Sequence, residues 1–448
     1  MKGRLCMRAF LLSAVIAPAL MLGACASEAP PIEDAYGPNP TLTEPERRWM
    51  PIPRINEMKA VGWSEDGAPV AAEGFVVTRF ADGFIHPRWV YALPNGDVLL
   101  AEASSLPLSN KGFVGWVMER VMRNAGAVQE TSPNRIVLLR DADGDGAAEL
   151  REIFLEGLNQ PFGMALLNGF LYIANTDALV RVPYTDGDLS ATGPPETVAS
   201  LPFRADDNGH WTRNVIAAPD GSRLFVTVGS ISNIAEQGMD VEQGRAMIHA
   251  VDPATGAISV YATGLRNPNG MGFAPGTNTL WTVVNERDGL GDNLPPDYLT
   301  SVQEGGFYGW PWAYWGVADH RFKADEIPDG AIERAIRPDY ALGGHTAALG
   351  LVFNETPALG ANWQGGAFVG LHGSWNRREP SGYRVIYVPF ENGQPSGMPR
   401  DVLTGFLDSN NNAMGRPVGV EIAGDGALLV ADDVGKVIWR VALPVVQQ

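Results

Sequence analysis

From Gly74 onward the chain is a succession of short apolar runs broken by turn residues, and one unit recurs six times. Its copies are residues 88–101, 163–174, 215–229, 270–284, 350–370 and 419–431. In several copies the first run ends in a turn such as Pro94-Asn-Gly, Asn168-Gly, Pro219-Asp-Gly or Gly424-Asp-Gly, and a second run follows. Gly and Asn accept the positive φ of tight hairpins, so each unit reads as two adjacent antiparallel strands. A more polar run often comes next, as in residues 179–183, 383–388 and 436–441, which suits an outer strand with one wet face. Six units leave roughly 60 residues each, against the ~40–50 of minimal propeller blades, so the loops must be enlarged. The expected fold is all-β: a six-bladed β-propeller with enlarged loops and one short helical insertion. Residues 75–80 are expected to close the ring against the C-terminal strands.

Two insertions stand out. Residues 112–126 place Phe113, Trp116, Val117 and Val121 at helical spacing, which predicts one amphipathic helix packed on the flank of the ring. Residues 316–345 form a loop long enough to cover a face of it, and loops of that length are often functional.

The N-terminus has the order of an export signal. Lys2, Arg4 and Arg8 precede an apolar run from Ala9 to Leu22 that is short for a membrane span. Leu22-Gly-Ala-Cys25 then resembles a bacterial lipobox, with Cys25 as the lipidated first residue of the mature chain; an ordinary signal peptide is the alternative. The expected organisation is residues 1–24 as signal peptide, 25–73 as lipidated cysteine and Pro-rich tether, and 74–448 as propeller domain, held at the periplasmic face of a bacterial membrane. The other cysteine, Cys6, falls in the removed part, so no disulfide and no Cys-x-x-Cys-His haem site remain. A net charge of −18 argues against a nucleic-acid partner and means that an anionic ligand must be held by a local group of arginines.

Chemistry-bearing residues concentrate between Asp206 and Asp297. There His210 stands just before one strand unit, and Arg266 with Asn267 takes the same place before the next. A histidine is largely neutral near pH 7 and can accept a proton, whereas a guanidinium beside an oxygen stabilises developing negative charge.

Five stretches together resemble the glucose/sorbosone dehydrogenase family, and most closely its L-sorbosone dehydrogenase-like branch. They are Gly209-His210, residues 264–273 from Gly-Leu-Arg-Asn-Pro, Gly305-Gly-Phe-Tyr-Gly-Trp-Pro311, His372-Gly-Ser-Trp-Asn-Arg377 and Gly415-Arg416-Pro-Val-Gly-Val, within a similarity spanning residues 74–443. The resemblance implies a six-bladed propeller that binds pyrroloquinoline quinone (PQQ) and Ca²⁺ and oxidises a sugar, a sorbosone-like aldehyde or a polyol. It implies His210 as the base that takes the substrate's hydroxyl proton while hydride passes to the quinone. Arg266, Asn267 and Arg416 match family positions around the cofactor, with Arg377 and Gln160 as looser matches. PQQ carries three carboxylates, for which paired guanidinium donors are the natural complement. Calcium is expected at loop carbonyls around Glu286, Arg287, Asp288 and Gly289. Where the family's glucose dehydrogenases place an aspartate behind the catalytic histidine, this chain has Ser230, so the supporting carboxylate is expected elsewhere, at Glu236 or Asp207. With no haem motif, electrons are expected to leave to an external cytochrome or quinone.

A second calcium site is expected at residues 141–152, where Asp141, Asp143, Asp145, Gly146 and Glu152 match positions 1, 3, 5, 6 and 12 of a twelve-residue calcium loop. Its flanks read as strands, so a blade hairpin rather than a helix-loop-helix is expected, with a solvated, metal-free acidic turn as the alternative. Two other functions fit a propeller: a lactonase or related hydrolase, which would turn several Asp, Glu or Asn side chains onto a central metal, and a non-catalytic binding propeller, which needs none of these groups.

Overall fold

A computed structural model describes residues 31–46, 55–107, 112–129, 131–205 and 209–444. Among the described residues, six antiparallel sheets of four or five strands are set around one axis as the blades of a propeller, and two further sheets are two-stranded hairpins. Blade one runs Pro87–Ala92, Val98–Glu102, Arg135–Arg140 and Leu150–Leu155, and blades two to six begin at Met164, Val215, Pro268, Ala348 and Pro417. The sixth blade takes its outer strand from the other end of the domain: Val76–Asp82 pairs antiparallel with Val437–Ala442, with Val77 opposite Val441. The sixth blade is therefore built from both ends of the domain, which closes the ring.

First strands of neighbouring blades pack against each other near the axis, as Ala348–Phe353 does against Pro268–Phe273 and Pro417–Ile422. Space there is short. A Cβ on Gly350 would lie 2.2 Å from the Val418 carbonyl oxygen, and one on Gly370 would lie 2.5 Å from it. Glycine inside these strands thus reflects close backbone approach rather than a turn. Between blades the cores are apolar, with Trp281, Trp439, Tyr298 and Phe162 among the fully buried side chains. Each large apolar side chain removed from water contributes roughly 1.5–3 kcal/mol, which is what holds blade to blade.

The described parts of residues 25–73, read from sequence as a tether, lie on the propeller. Tyr36–Gly37 pairs with Leu342 and Ala341 as a fifth strand of blade four, and Val70–Ala71 pairs with Thr404 and Leu403 on blade five. Tyr36 and Met58 are buried, and Trp63 donates its indole N–H to Asp432 Oδ2 at 2.7 Å. Aromatic and thioether side chains with somewhere to pack override the extended preference of a Pro-rich segment. Cys25 lies outside the described residues. The predicted helix is present as Gly112–Asn124, and its last turn reaches the axial cavity rather than packing wholly on the flank. The 316–345 insertion folds into short pieces that include Ala331–Arg334, and only His345 of it lines that cavity.

Candidate active site

At one end of the ring the starts of the inner strands surround a cavity of about 330 Å³. Arg88, Thr212, Arg266, Asn267, Ala347 and Arg416, each within three residues of an inner strand's start, project into it. The sequence places a proline at the first position of three of these strands, Pro87, Pro268 and Pro417. Proline there gives up a backbone donor that would be unpaired in any case and fixes where the preceding side chain leaves the sheet.

Three buried guanidiniums define the cavity's electrostatics. Arg88 forms an ion pair with Asp433 and lies over the Trp211 ring, 5.6 Å from its centroid. Arg416 donates to the Tyr383 hydroxyl at 2.9 Å and stacks on the same ring at 5.0 Å. Arg266 donates to the carbonyl oxygens of Asn285 and Glu286, at 3.1 and 2.7 Å, and to Asn233 Oδ1 at 2.9 Å. Yet the Nε atoms of Arg88 and Arg416, and the Oδ1 atoms of Asn267 and Asn376, are buried without a protein partner. Buried polar atoms are normally hydrogen-bonded. Two orphaned donors and two orphaned acceptors among the lining residues suit a polar ligand that brings both acceptors and donors.

His210 lines the same cavity. Its Nδ1 lies 2.7 Å from the Ser230 carbonyl oxygen, which can only accept, so Nδ1 carries the proton and donates. Nε2 is then the unprotonated nitrogen, and it has no protein hydrogen-bond partner among the described residues. Burial, reinforced by the nearby Arg266 charge and only partly opposed by the Ser230 bond, lowers the imidazole pKa to about 3. His210 is therefore neutral across the physiological range. Support comes from the backbone of Ser230 rather than from the carboxylate expected at Glu236, which instead accepts the Ile234 N–H in an exposed turn. Asp207 lies outside the described residues.

Asp288 is the one carboxylate among the described residues lining the cavity. Burial pushes its pKa up, but the His345 hydrogen bond, the Arg266 charge and the Asn376 hydrogen bond outweigh it and hold the group at about 2. Asn376 Nδ2 donates to Asp288 Oδ1 at 2.6 Å, and His345 Nδ1 lies 3.3 Å from the same oxygen. Elsewhere in the lining, His372 Nε2 donates to Asp433 Oδ2 at 2.9 Å.

Of the residues predicted from sequence, the cavity gathers His210, Arg266, Asn267, Asp288 and Arg416. Others fall outside it. Gln160 donates from Nε2 to the Ser104 carbonyl at 2.8 Å and so shapes the loop whose next residue, Ser105, is in the lining. Arg377 turns away to Asp292 O and Asn293 Oδ1, both at 2.7 Å, in a separate cleft, and its neighbour Asn376 takes the place at the cavity. Arg287 is fully buried among Glu286, Pro311, Ala313 and Asp319. Glu286 offers its carbonyl to Arg266, and neither it nor Gly289 lines the cavity. Sequence reasoning gave no site role to Arg88 and Asn376, whereas the loops of His345 and His372, read as able to reach the pocket, do line it. Arg88 was findable: it opens its repeat unit in nearly the register of Arg266 and Arg416.

The acidic loop is a hairpin between Arg135–Arg140 and Leu150–Leu155, as expected from its flanks. Its clustered oxygens belong to Asp141, Asp143, Asp145 and Glu149, all within 4.8 Å of one another. Glu152 is instead fixed in a strand opposite Leu138. The strand begins at Leu150, so its alternation carries the twelfth position away from the turn. The carboxylates accept backbone N–H groups, among them Gly144, Asp145 and Gly146 onto Asp141 and Ala142 onto Glu149.

A closed six-bladed ring whose axial cavity is lined by three buried arginines and by His210 defines the class: a propeller with a polar axial cavity. The TrAA12-like family model matches residues 127–298 and 321–443, more than half of the chain, and the chain belongs to this family. Among curated relatives, a pyrroloquinoline quinone-dependent sugar dehydrogenase of Hypocrea jecorina (strain QM6a) is 23% identical over 381 residues, 75% of this chain and 79% of the relative. Two solved structures share the fold at 20% identity, each covering 84% of this chain and 97% of the other. They are the calcium structure of a Trichoderma reesei family AA12 enzyme, with a TM-score of 0.67, and the holo PQQ domain of a Coprinopsis cinerea pyranose dehydrogenase, with 0.66.

Proposed function

We propose that the cavity binds PQQ and that the protein oxidises a sugar hydroxyl, passing electrons to an external cytochrome or quinone. The observation that carries this reading is the wall of Arg88, Arg266 and Arg416, with unpartnered Nε atoms on two of them, set against a neutral His210. Three guanidiniums suit a tricarboxylate, and the unpaired amide oxygens of Asn267 and Asn376 suit its ring N–H or a substrate hydroxyl. PQQ supplies, when bound, the hydride-accepting carbon. His210 Nε2 is oriented to take the hydroxyl proton as hydride leaves, and its Nδ1–H on Ser230 steadies the imidazolium formed. With the cofactor bound, Arg266 and Arg416 would hold its oxygens and stabilise negative charge there. For calcium the fit rests on the Asp288 carboxylate more than on the 286–289 carbonyls, because Arg266 occupies Glu286 O and both Arg321 and Asn233 donate to Asp288 O. The relatives' chemistry supports sugars in general. A sorbosone-like aldehyde or a polyol remains within the reading, as does lipid anchoring through Cys25 at the periplasmic face. A hydrolase is disfavoured by the lining, in which Asp288 is the lone carboxylate among the described residues and is already bound by Asn376 and His345.

Apoprotein incubated with PQQ and Ca²⁺ should reduce a dye in the presence of aldoses, sorbosone or polyols. It should not do so with nicotinamide nucleotides. Failure to bind PQQ in an absorbance titration would overturn the proposal.

A further inference from the structure

We propose that Glu242, which is not a cavity residue, is the positioning residue of His210 and acts through the Ser230 loop; the inference rests on reading His210 as the proton acceptor. Glu242 ends the short 3-10 turn Met239–Glu242 and is 3% exposed. Its Oε2 accepts the Ile231 N–H at 2.7 Å, and its Oε1 accepts the Ser232 N–H at 2.9 Å and the Ser232 hydroxyl at 2.6 Å. Hydrogen bonds to an ionised acceptor are short and about twice as strong as neutral ones, so three on one buried carboxylate fix the backbone that carries them.

The rest of the loop is held from the other side. Arg245 Nη1 donates to Gly229 O at 3.1 Å, Ser230 N donates to Arg266 O at 2.7 Å, and Ser230 Oγ donates to Ser232 O at 2.7 Å. Nor is there slack against the histidine. A Cβ on Gly209 would lie 2.0 Å from Ile231 O, and one on Gly229 would lie 2.7 Å from His210 Cβ. With the loop so fixed, the Ser230 carbonyl has one orientation, toward His210 Nδ1.

Tautomer selection follows. A proton on Nε2 would turn the Nδ1 lone pair onto the carbonyl lone pairs, which repel it, so Nε2 is left as the base. A carboxylate behind the histidine would select the same tautomer and also raise its basicity. Here the carboxylate stands one loop further back and sets orientation without adding charge at the ring. Among the described residues, Arg266, Arg245 and Asp288 bear on the charge of the ring, and Arg213 donates to the His210 carbonyl at 2.6 Å.

The test uses the full chain with ¹⁵N-labelled histidine. In apoprotein the His210 signal, assigned by its loss in His210→Gln, should report protonated Nδ1. Glu242→Ala should convert it to a mixture of tautomers, lower kcat by about 30-fold or more, and leave KM and the PQQ titration endpoint within about three-fold. Glu242→Gln keeps the volume but turns an NH₂ toward backbone donors. It should act in the same direction by about ten-fold, and it carries the test if the alanine variant fails to fold. An unchanged tautomer with unchanged kcat would overturn the inference, as would equal losses of kcat and PQQ affinity with the tautomer intact. Parental turnover by His210→Gln would instead remove the base assignment itself, an outcome separable from failure at Glu242.

Discussion

Two half-buried histidines line the cavity, His210 and His372, and the pair behave differently for a reason that can be named. Burial is the main cause in both, lowering His210 to about 3 and His372 to about 4, so both are neutral at pH 7. Their partners differ. His372 joins Arg88 and His86 around one carboxylate, Asp433, in a cluster whose charges are already matched. His210 leans on a neutral carbonyl, and its Nε2 has no protein hydrogen-bond partner among the described residues. A group in a closed ion cluster is an anchor, and a group left with an unsatisfied atom toward the cavity is available for chemistry.

The largest expected effect separates the two. With PQQ and Ca²⁺ present, His210→Gln should lower kcat by ~10²-fold or more, whereas His372→Gln should leave kcat within a few-fold and weaken PQQ binding as Arg88 loses its fixed counter-charge. Steady-state kinetics with a PQQ titration measures both. The reverse ranking would exchange the two roles.

A smaller effect tests the missing carboxylate. Because His210 is neutral down to about pH 3, its protonation should not limit activity in mild acid. Ser230→Asp would place an anion behind the ring and stabilise the imidazolium, raising the histidine's pKa. The acid limb of the kcat/KM profile should then move up by at least about one pH unit, close to a tenfold loss at fixed low pH. A limb that stays where it was would mean that the Ser230 side of the ring does not control its basicity.

What could be read in the sequence follows the range of the forces involved. Blades were legible because hairpin turns and apolar runs are local, and the register of repeat starts carried His210, Arg266 and Arg416 into the cavity. Side-chain direction beyond that register was not. Asn376 and Arg377 are adjacent, yet one lines the cavity and the other faces a separate cleft. Glu152 has calcium-loop spacing, but strand pairing claims it and leaves Glu149 in the cluster. Partners far apart in sequence, such as Trp63 with Asp432 or His86 with Asp433, leave no local pattern at all.

The last prediction turns on what the two histidines share. Each has a folded-state pKa below the ordinary value of 6.5, so between about pH 6.5 and the folded value the unfolded chain binds a proton that the folded chain does not. Stability is then fully present above pH 6.5 and falls as the pH drops, by up to about 1.4 kcal/mol per pH unit for each histidine. Asp432 works the other way: burial raises it to about 6, so below that pH the folded chain binds the extra proton. That contribution is common to parent and variants and cancels in the difference. Denaturant unfolding at pH 6.5, 6.0, 5.5 and 5.0 should therefore show a slope shallower by about one proton in His210→Gln and, equally, in His372→Gln, whatever their kinetics. If only one variant flattens the curve, the shared burial breaks down, and the unaffected histidine is already charged in the folded protein.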